Sequence, residues 1–224
     1  GPHTEPMADQ TMLFLLSLAH NAKKMLDDQT NGVWDTNGYD HVEVSGSSMG
    51  LYGFGMIGRA IARRALGFGM NVTAVDPGPD DEVPGVDVWG TDRLDELFRT
   101  SDWLVVACPL TEETRMSVES RRIGLLKPTS SLIVISRGGI VDEGALGAAL
   151  TAGSISGAAL DATDPEPPSS ESPFWSHPNV LISSHSSALT PEMYEGRRQI
   201  VIENLHHYLA GETLINRVDP VKGY

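Results

Sequence analysis

Short apolar runs with little alternation recur along this chain, and the segments between them carry apolar residues at helical spacing. Residues 49–76 read as strand, glycine-rich turn, helix and strand, ending on Asp76. Four more runs, 103–108, 132–136, 155–161 and 180–184, predict strands, and 86–89 predicts a short seventh. Helical spacing predicts helices over 8–28, 94–99, 142–152 and 192–210. The first has an apolar face made of Met12, Leu15, Leu16, Ala19 and Ala22. Asp142 suits a helix start, because an acidic side chain meets the positive end of the helix dipole there. Residues 31–38 read as a turn, and 165–173, rich in Pro, Ser and Glu, as a surface loop. Strands alternating with helices imply a parallel sheet, and weakly alternating runs fit strands buried on both faces.

Gly53, Gly55 and Gly58 close the first strand and open the first crossover helix, and Asp76 ends the next strand. That is the context a dinucleotide fingerprint requires. Gly53 permits the tight turn, Gly55 lets a pyrophosphate approach the backbone, and Gly58 lets helix and strand pack closely. Free N–H groups at the helix start then face the pyrophosphate. Asp76 can accept hydrogen bonds from an adenosine ribose and would repel a 2′-phosphate. Residues 77–82 include no Arg or Lys, so NAD is favoured over NADP. The expected fold is α/β, a doubly wound parallel sheet of Rossmann type.

The candidate polar groups Asp76, Pro109, Arg137, Asp161 and His185 all fall at or just past the ends of predicted strands. In an open parallel sheet, ligands bind along that rim. Three residues there fit the oxidation of an alcohol or the reduction of a ketone. His185 titrates in the range needed to take or give a hydroxyl proton. Glu166, between two prolines, would favour the imidazolium and hold the ring. Arg137 offers a fork for a substrate carboxylate. Read singly, each fits a plainer role: a loop histidine, a solvated loop charge, a surface ion pair. Asp161 fits either a cap on the Pro165 loop or an acceptor for a nicotinamide carboxamide. His206 and His207 lie on a helix without a partner at metal-ligand spacing, and no Cys/His cluster predicts a metal. The stretch 46–50 matches G-x-S-x-G, but it leads into a strand where a nucleophile elbow must follow one.

The 224 residues carry a formal charge of −14. That excess argues against nucleic acid or an anionic membrane as partner. A single cysteine, Cys108, rules out an internal disulfide framework and suits a reducing compartment. The longest strongly apolar run, 12–18, is too short to cross a bilayer. The start, Gly1-Pro2-His3, has no basic n-region, lacks Met and reads as a cloning scar without function.

The motifs GFGMIG at 53–58, CPLTEETR at 108–115, SRGGIVDEGAL at 136–146, ALDATDPEPP at 159–168 and the His185 segment together resemble one family. It is the NAD-dependent D-isomer-specific 2-hydroxyacid dehydrogenases, which include phosphoglycerate, D-lactate and glyoxylate/hydroxypyruvate enzymes. The resemblance runs from about Thr4 to Val221. It implies that Arg137, Glu166 and His185 are the catalytic set. It implies that Met56 and Ile57 meet the pyrophosphate, Asp76 the ribose, and Cys108 and Pro109 the adenosine side. Ser136 and Asp161 would lie near the nicotinamide, and Thr114, Ile135 and Ser187 would line the cofactor site. Cys108 is then a cofactor neighbour and not a nucleophile. Ser184 stands where the family usually has Pro, and Ser186-Ser187-Ala188 follow where it has Gly or Ala, which bears on the pocket beside the nicotinamide. The family's substrate domain is largely missing, so the expected organisation is a scar at 1–3, an NAD-binding domain over 4–215 and a tail over 216–224 returning to the absent domain. The resemblance implies a cytoplasmic enzyme acting on a small 2-hydroxy or 2-keto acid. It implies a homodimer paired through this domain, with the helix over 8–28 in the interface. Two other readings stay open: an NAD(H)-sensing, corepressor-like interaction module, and a relative acting on formate or phosphite.

Overall fold

The computed structural model describes residues 1–78 and 83–218. Seven strands form one sheet in the order β3-β2-β1-β4-β5-β6-β7, and every pair is parallel. They are β1 (Ser48–Tyr52), β2 (Asn71–Val75), β3 (Val86–Trp89), β4 (Trp103–Val106), β5 (Ser131–Val134), β6 (Gly157–Leu160) and β7 (Val180–Ile182). The helices are α1 (Thr4–Ala19), α2 (Ala22–Asn31), α3 (Met56–Gly67), α4 (Leu94–Thr100), α5 (Ser120–Ile123), α6 (Glu143–Thr151) and α7 (Pro191–Ala210). The chain winds outward from β1 to β3, then crosses back to lay β4 against β1. That reversal opens a crevice above the carboxyl ends of β1 and β4, where doubly wound sheets bind ligands.

Both faces of the sheet are covered, which explains the unbroken apolar runs. In β4, Trp103 and Val105 join one core with Met12, Leu15 and Ile61 of α1 and α3. Leu104 and Val106 join a second core with Leu97, Phe98 and Leu146 of α4 and α6. Successive side chains of a strand point to opposite faces, so each strand must be apolar throughout to serve both cores.

The helix predicted over 8–28 is two helices, and the first starts earlier, at Thr4. Asn21 breaks it in a left-handed conformation (φ 50°, ψ 46°), with its side-chain amide donating to the Asp40 carbonyl. Asn tolerates this region because its short polar side chain bonds locally. Met7, Ala8, Met12, Leu15 and Ala19 are buried inside the domain against α3 and the sheet. This stripe packs inside the domain, while Leu13, Met25 and Leu26 of the same two helices stay exposed. The strands predicted over 103–108, 132–136, 155–161 and 180–184 end at Val106, Val134, Leu160 and Ile182. Their last residues leave the ladder and form the rim. Of the expected tail, only 216–218 fall among the described residues, and Pro79 to Glu82 fall outside them.

Candidate active and cofactor site

The three glycines of the first turn have separate physical reasons. Gly53 has φ 104°, and a Cβ there would stand 2.6 Å from the Cys108 amide nitrogen. A Cβ on Gly58 would collide with the Gly53 carbonyl oxygen. At Gly55 a Cβ would meet nothing within 4 Å. No contact among the described residues requires glycine at 55, so an open cradle lies above it. No side chain caps α3, and its first internal hydrogen bond runs from Arg59 N to Gly55 O. The amides of Met56, Ile57 and Gly58 therefore stay free to meet an anion.

Asp76 follows β2 and reaches over the turn. One carboxylate oxygen accepts from Phe54 N at 2.7 Å and the other from Gly78 N at 3.0 Å. Cys108 follows β4 by two residues and is 4% exposed, its thiol pushed up to about 12 by burial. It stands as a neutral wall, without thiolate character. Pro109 is exposed at the rim. Thr114 turns its hydroxyl into its own loop, donating to the Pro109 carbonyl at 2.6 Å. The Ile135 side chain lies in the core, so only its backbone faces the rim. Ser136 is different: its Oγ is the one buried side-chain polar atom without a partner among the described residues. An unsatisfied buried hydroxyl calls for a ligand or water. The uncapped helix, the cradle at Gly55 and this orphan hydroxyl fit a dinucleotide.

His185, Glu166 and Arg137 converge on the same rim. His185 Nδ1 lies 2.7 Å from Glu166 Oε1, and His185 Nε2 lies 3.3 Å from Arg137 Nη1. A guanidinium only donates, so Nε2 accepts and Nδ1 carries the hydrogen that points at Glu166. Arg137 also donates to its neighbour's carbonyl, Ser136 O, at 2.7 Å. His185 has φ 50°, a conformation uncommon outside glycine and asparagine. Asp161, 2% exposed, holds it there. One Asp161 oxygen accepts from Ser183 Oγ at 2.5 Å and Ser186 N at 3.0 Å, and the other from Ser187 N at 3.2 Å. Asp161 thus caps the His185 loop and not the Pro165 loop.

Residues 1–3 pack onto this rim. The Gly1 ammonium lies 3.3 Å from Met56 Sδ, and Pro2 faces Gly196 of α7. The His3 imidazole is pushed down, first by burial and then by the charges of Arg197, the N-terminus and Arg137. His207 Nδ1 lies 2.8 Å from the Thr213 carbonyl. Ser45 and Gly46 form a turn that leads into β1, and Ser48 is the first residue of that strand, so the G-x-S-x-G match is no elbow. No group of three or more His, Cys, Asp or Glu that could hold a metal occurs among the described residues. No described helix is long and apolar enough to cross a membrane.

Residues 12–187 match the family described as D-isomer specific 2-hydroxyacid dehydrogenase, NAD binding domain. A glyoxylate reductase of Thermococcus onnurineus is 37% identical over 227 residues, covering 96% of this chain and 67% of that protein. A D-3-phosphoglycerate dehydrogenase of Methanocaldococcus jannaschii is 33% identical, covering 95% of this chain but only 41% of the relative. Among solved structures, a D-isomer specific 2-hydroxyacid dehydrogenase of Xanthobacter autotrophicus, in complex with NADPH and MES, superposes with a TM-score of 0.88 at 30% identity, over 99% of this chain and 90% of that one. The turn, the rim and the matched span lead to one conclusion: the chain belongs to the D-isomer specific 2-hydroxyacid dehydrogenase family and comprises its NAD-binding domain.

Proposed function

We propose that this chain is the cofactor-holding and proton-moving half of an NAD-dependent enzyme that interconverts a small 2-hydroxy acid and its 2-keto acid. The observation that carries this reading is the chain of contacts Glu166–His185–Arg137 at 2.7 and 3.3 Å on the rim of the glycine turn. Arg137 binds the substrate carboxylate and points the neighbouring carbon at the cofactor site. His185 Nε2 takes the hydroxyl proton in oxidation and returns it to the carbonyl oxygen in reduction. Glu166 accepts from Nδ1 and stabilises the imidazolium formed in between. NAD, when bound, supplies the hydride acceptor, and NADH the donor. General acid–base help of this kind is worth roughly 10²–10⁴ in rate. Asp76, free of a following described cation, sets the preference for NAD. Met56 and Ile57 hold the pyrophosphate, while Cys108, Pro109 and Thr114 shape the adenosine side. Ser136, Ile135, Asp161 and Ser187 border the nicotinamide.

The relatives extend beyond the matched span, so the substrate-facing half of the cleft is assigned to a domain outside this chain. Residues 4–215 are the cofactor domain, and 216–218 begin the return to that domain. Glyoxylate, given the glyoxylate reductase among the relatives, and hydroxypyruvate, given the family resemblance, are the substrates to try first. The enzyme is proposed to work in the cytoplasm and to pair as a homodimer through the exposed Leu13, Met25, Leu26 and Trp34 on and beside α1 and α2.

The test has two parts. This chain should bind NADH yet reduce 2-keto acids slowly by itself; brisk steady-state turnover would refute the division of labour. In the enzyme that carries the domain, His185→Ala should abolish turnover and leave NADH affinity near normal. Lost NADH binding would make His185 structural instead.

A further inference from the structure

We propose that Glu143 is a positioning residue that latches the Glu166 loop to the Arg137 loop and so keeps the Glu166–His185 pair in register with Arg137. The inference rests on the catalytic reading above, but its geometry is separate from it. Arg137 sits in the β5–α6 connection and Glu166 in the loop after β6, and no hydrogen bond joins their side chains among the described residues. Something else must fix one loop against the other.

Two contacts do so. At Gly138, next to Arg137, an added Cβ would collide with the Thr163 carbonyl and stand 2.9 Å from Asp164 N, so the two loops lie backbone on backbone. Glu143, the first residue of α6, then closes the contact: its Oε1 accepts from Asp164 N at 2.6 Å. Asp164 is two residues from Glu166. Between them, Thr163 Oγ1 donates to the Pro165 carbonyl at 3.0 Å, which keeps the bend in one shape.

Glu143 is unusual for a structural carboxylate. It is half-buried, and burial pushes its carboxyl above the ordinary range; the Asp164 charge adds to this, and the Asp164 N–H works against it. Burying a charge is costly unless its partner is good. The compensation is a charge-assisted bond at the start of a helix, where the dipole also favours an anion. An apolar residue would close the same surface without that cost, but it could not hold the Asp164 amide.

Nuclear magnetic resonance on the chain itself tests the latch without needing turnover. The probes are the Asp164 amide and the His185 ring proton on Nδ1. In Glu143→Ala, Asp164 amide exchange should rise about tenfold or more, the size of one charge-assisted hydrogen bond, and the His185 ring proton should lose its hydrogen-bonded shift. Glu143→Gln keeps a carbonyl acceptor at the same reach and should retain most of both. Glu143→Asp keeps the charge but falls short by one methylene, and should behave like the alanine variant. If the alanine variant fails to fold, the Asp and Gln pair decides. Wild-type signals at Asp164 and His185 in Glu143→Asp would overturn the proposal. Glu166→Ala, which removes the acceptor, is the control: if it leaves the His185 ring unchanged, the Glu166–His185 pair fails, and with it the catalytic reading. If it alters the ring while the Glu143 variants do not, only the latch fails.

Discussion

Gly55 is a residue of the cofactor turn whose identity its described neighbours do not explain. Its backbone, at φ −67° and ψ −164°, suits other residues, and no atom of the described residues lies within 4 Å of where its Cβ would stand. Gly55→Ala should therefore fold with a stability change under about 1 kcal/mol, while NADH affinity falls at least several-fold as the methyl fills the cradle. Gly53→Ala should instead lose stability, from its positive φ and the Cys108 backbone behind it. Thermal melts beside NADH titrations separate the two; equal NADH affinity in Gly55→Ala would remove the phosphate from the cradle. Cys108 gives a pH prediction. Its thiol is raised from 9.0 to about 12, so the unfolded chain ionises first. Its stabilising contribution is complete below about pH 9 and is lost as pH rises toward about 12. Denaturation between those limits should show the slope in wild type and a shallower one in Cys108→Ser. Iodoacetamide should scarcely label the native chain at neutral pH.

At the scale of elements, local chemistry marked some boundaries and not others. Asp142 announced a helix start, and it caps α6 by accepting from Ala145 N at 2.9 Å. Asp142→Ala should cost about 1 kcal/mol, read from denaturant midpoints. It should also disturb the neighbouring Glu143, since both belong to the first turn of one helix. The break between α1 and α2 went unread because apolar spacing continues across it from Ala19 to Ala22, while Asn21 turns the backbone left-handed. Four-residue α5 went unread because one turn is too short for a helical period to register. Strand ends were overrun by one or two residues each. The apolar or small residues there, such as Ile135 and Ala107, read as sheet but have already left the ladder.

For the molecule as a whole, parallel pairing is what gathers the chemistry. All seven strands point one way, so every strand end reaches the same rim. The same winding leaves Trp34 93% exposed and Leu13 56% exposed on the outside of α1 and α2. If these residues pair two copies, sedimentation should give a dimer that Trp34→Ser or Leu13→Lys shifts to monomer. Because each chain carries a formal charge of −14, added salt should strengthen the pairing by screening repulsion. A wild-type monomer at every salt concentration would end that assignment. The sequence by itself determined the sheet, the glycine turn with Asp76, and the residue types on the rim, because local periodicity and backbone conformation are written in neighbouring residues. Tertiary structure alone decided that Asp161 serves the His185 loop, that Glu143 grips Asp164, and that the α1 stripe is buried inside the domain. Each of those depends on groups far apart in the chain, whose partners are chosen only when separate crossovers pack against one another.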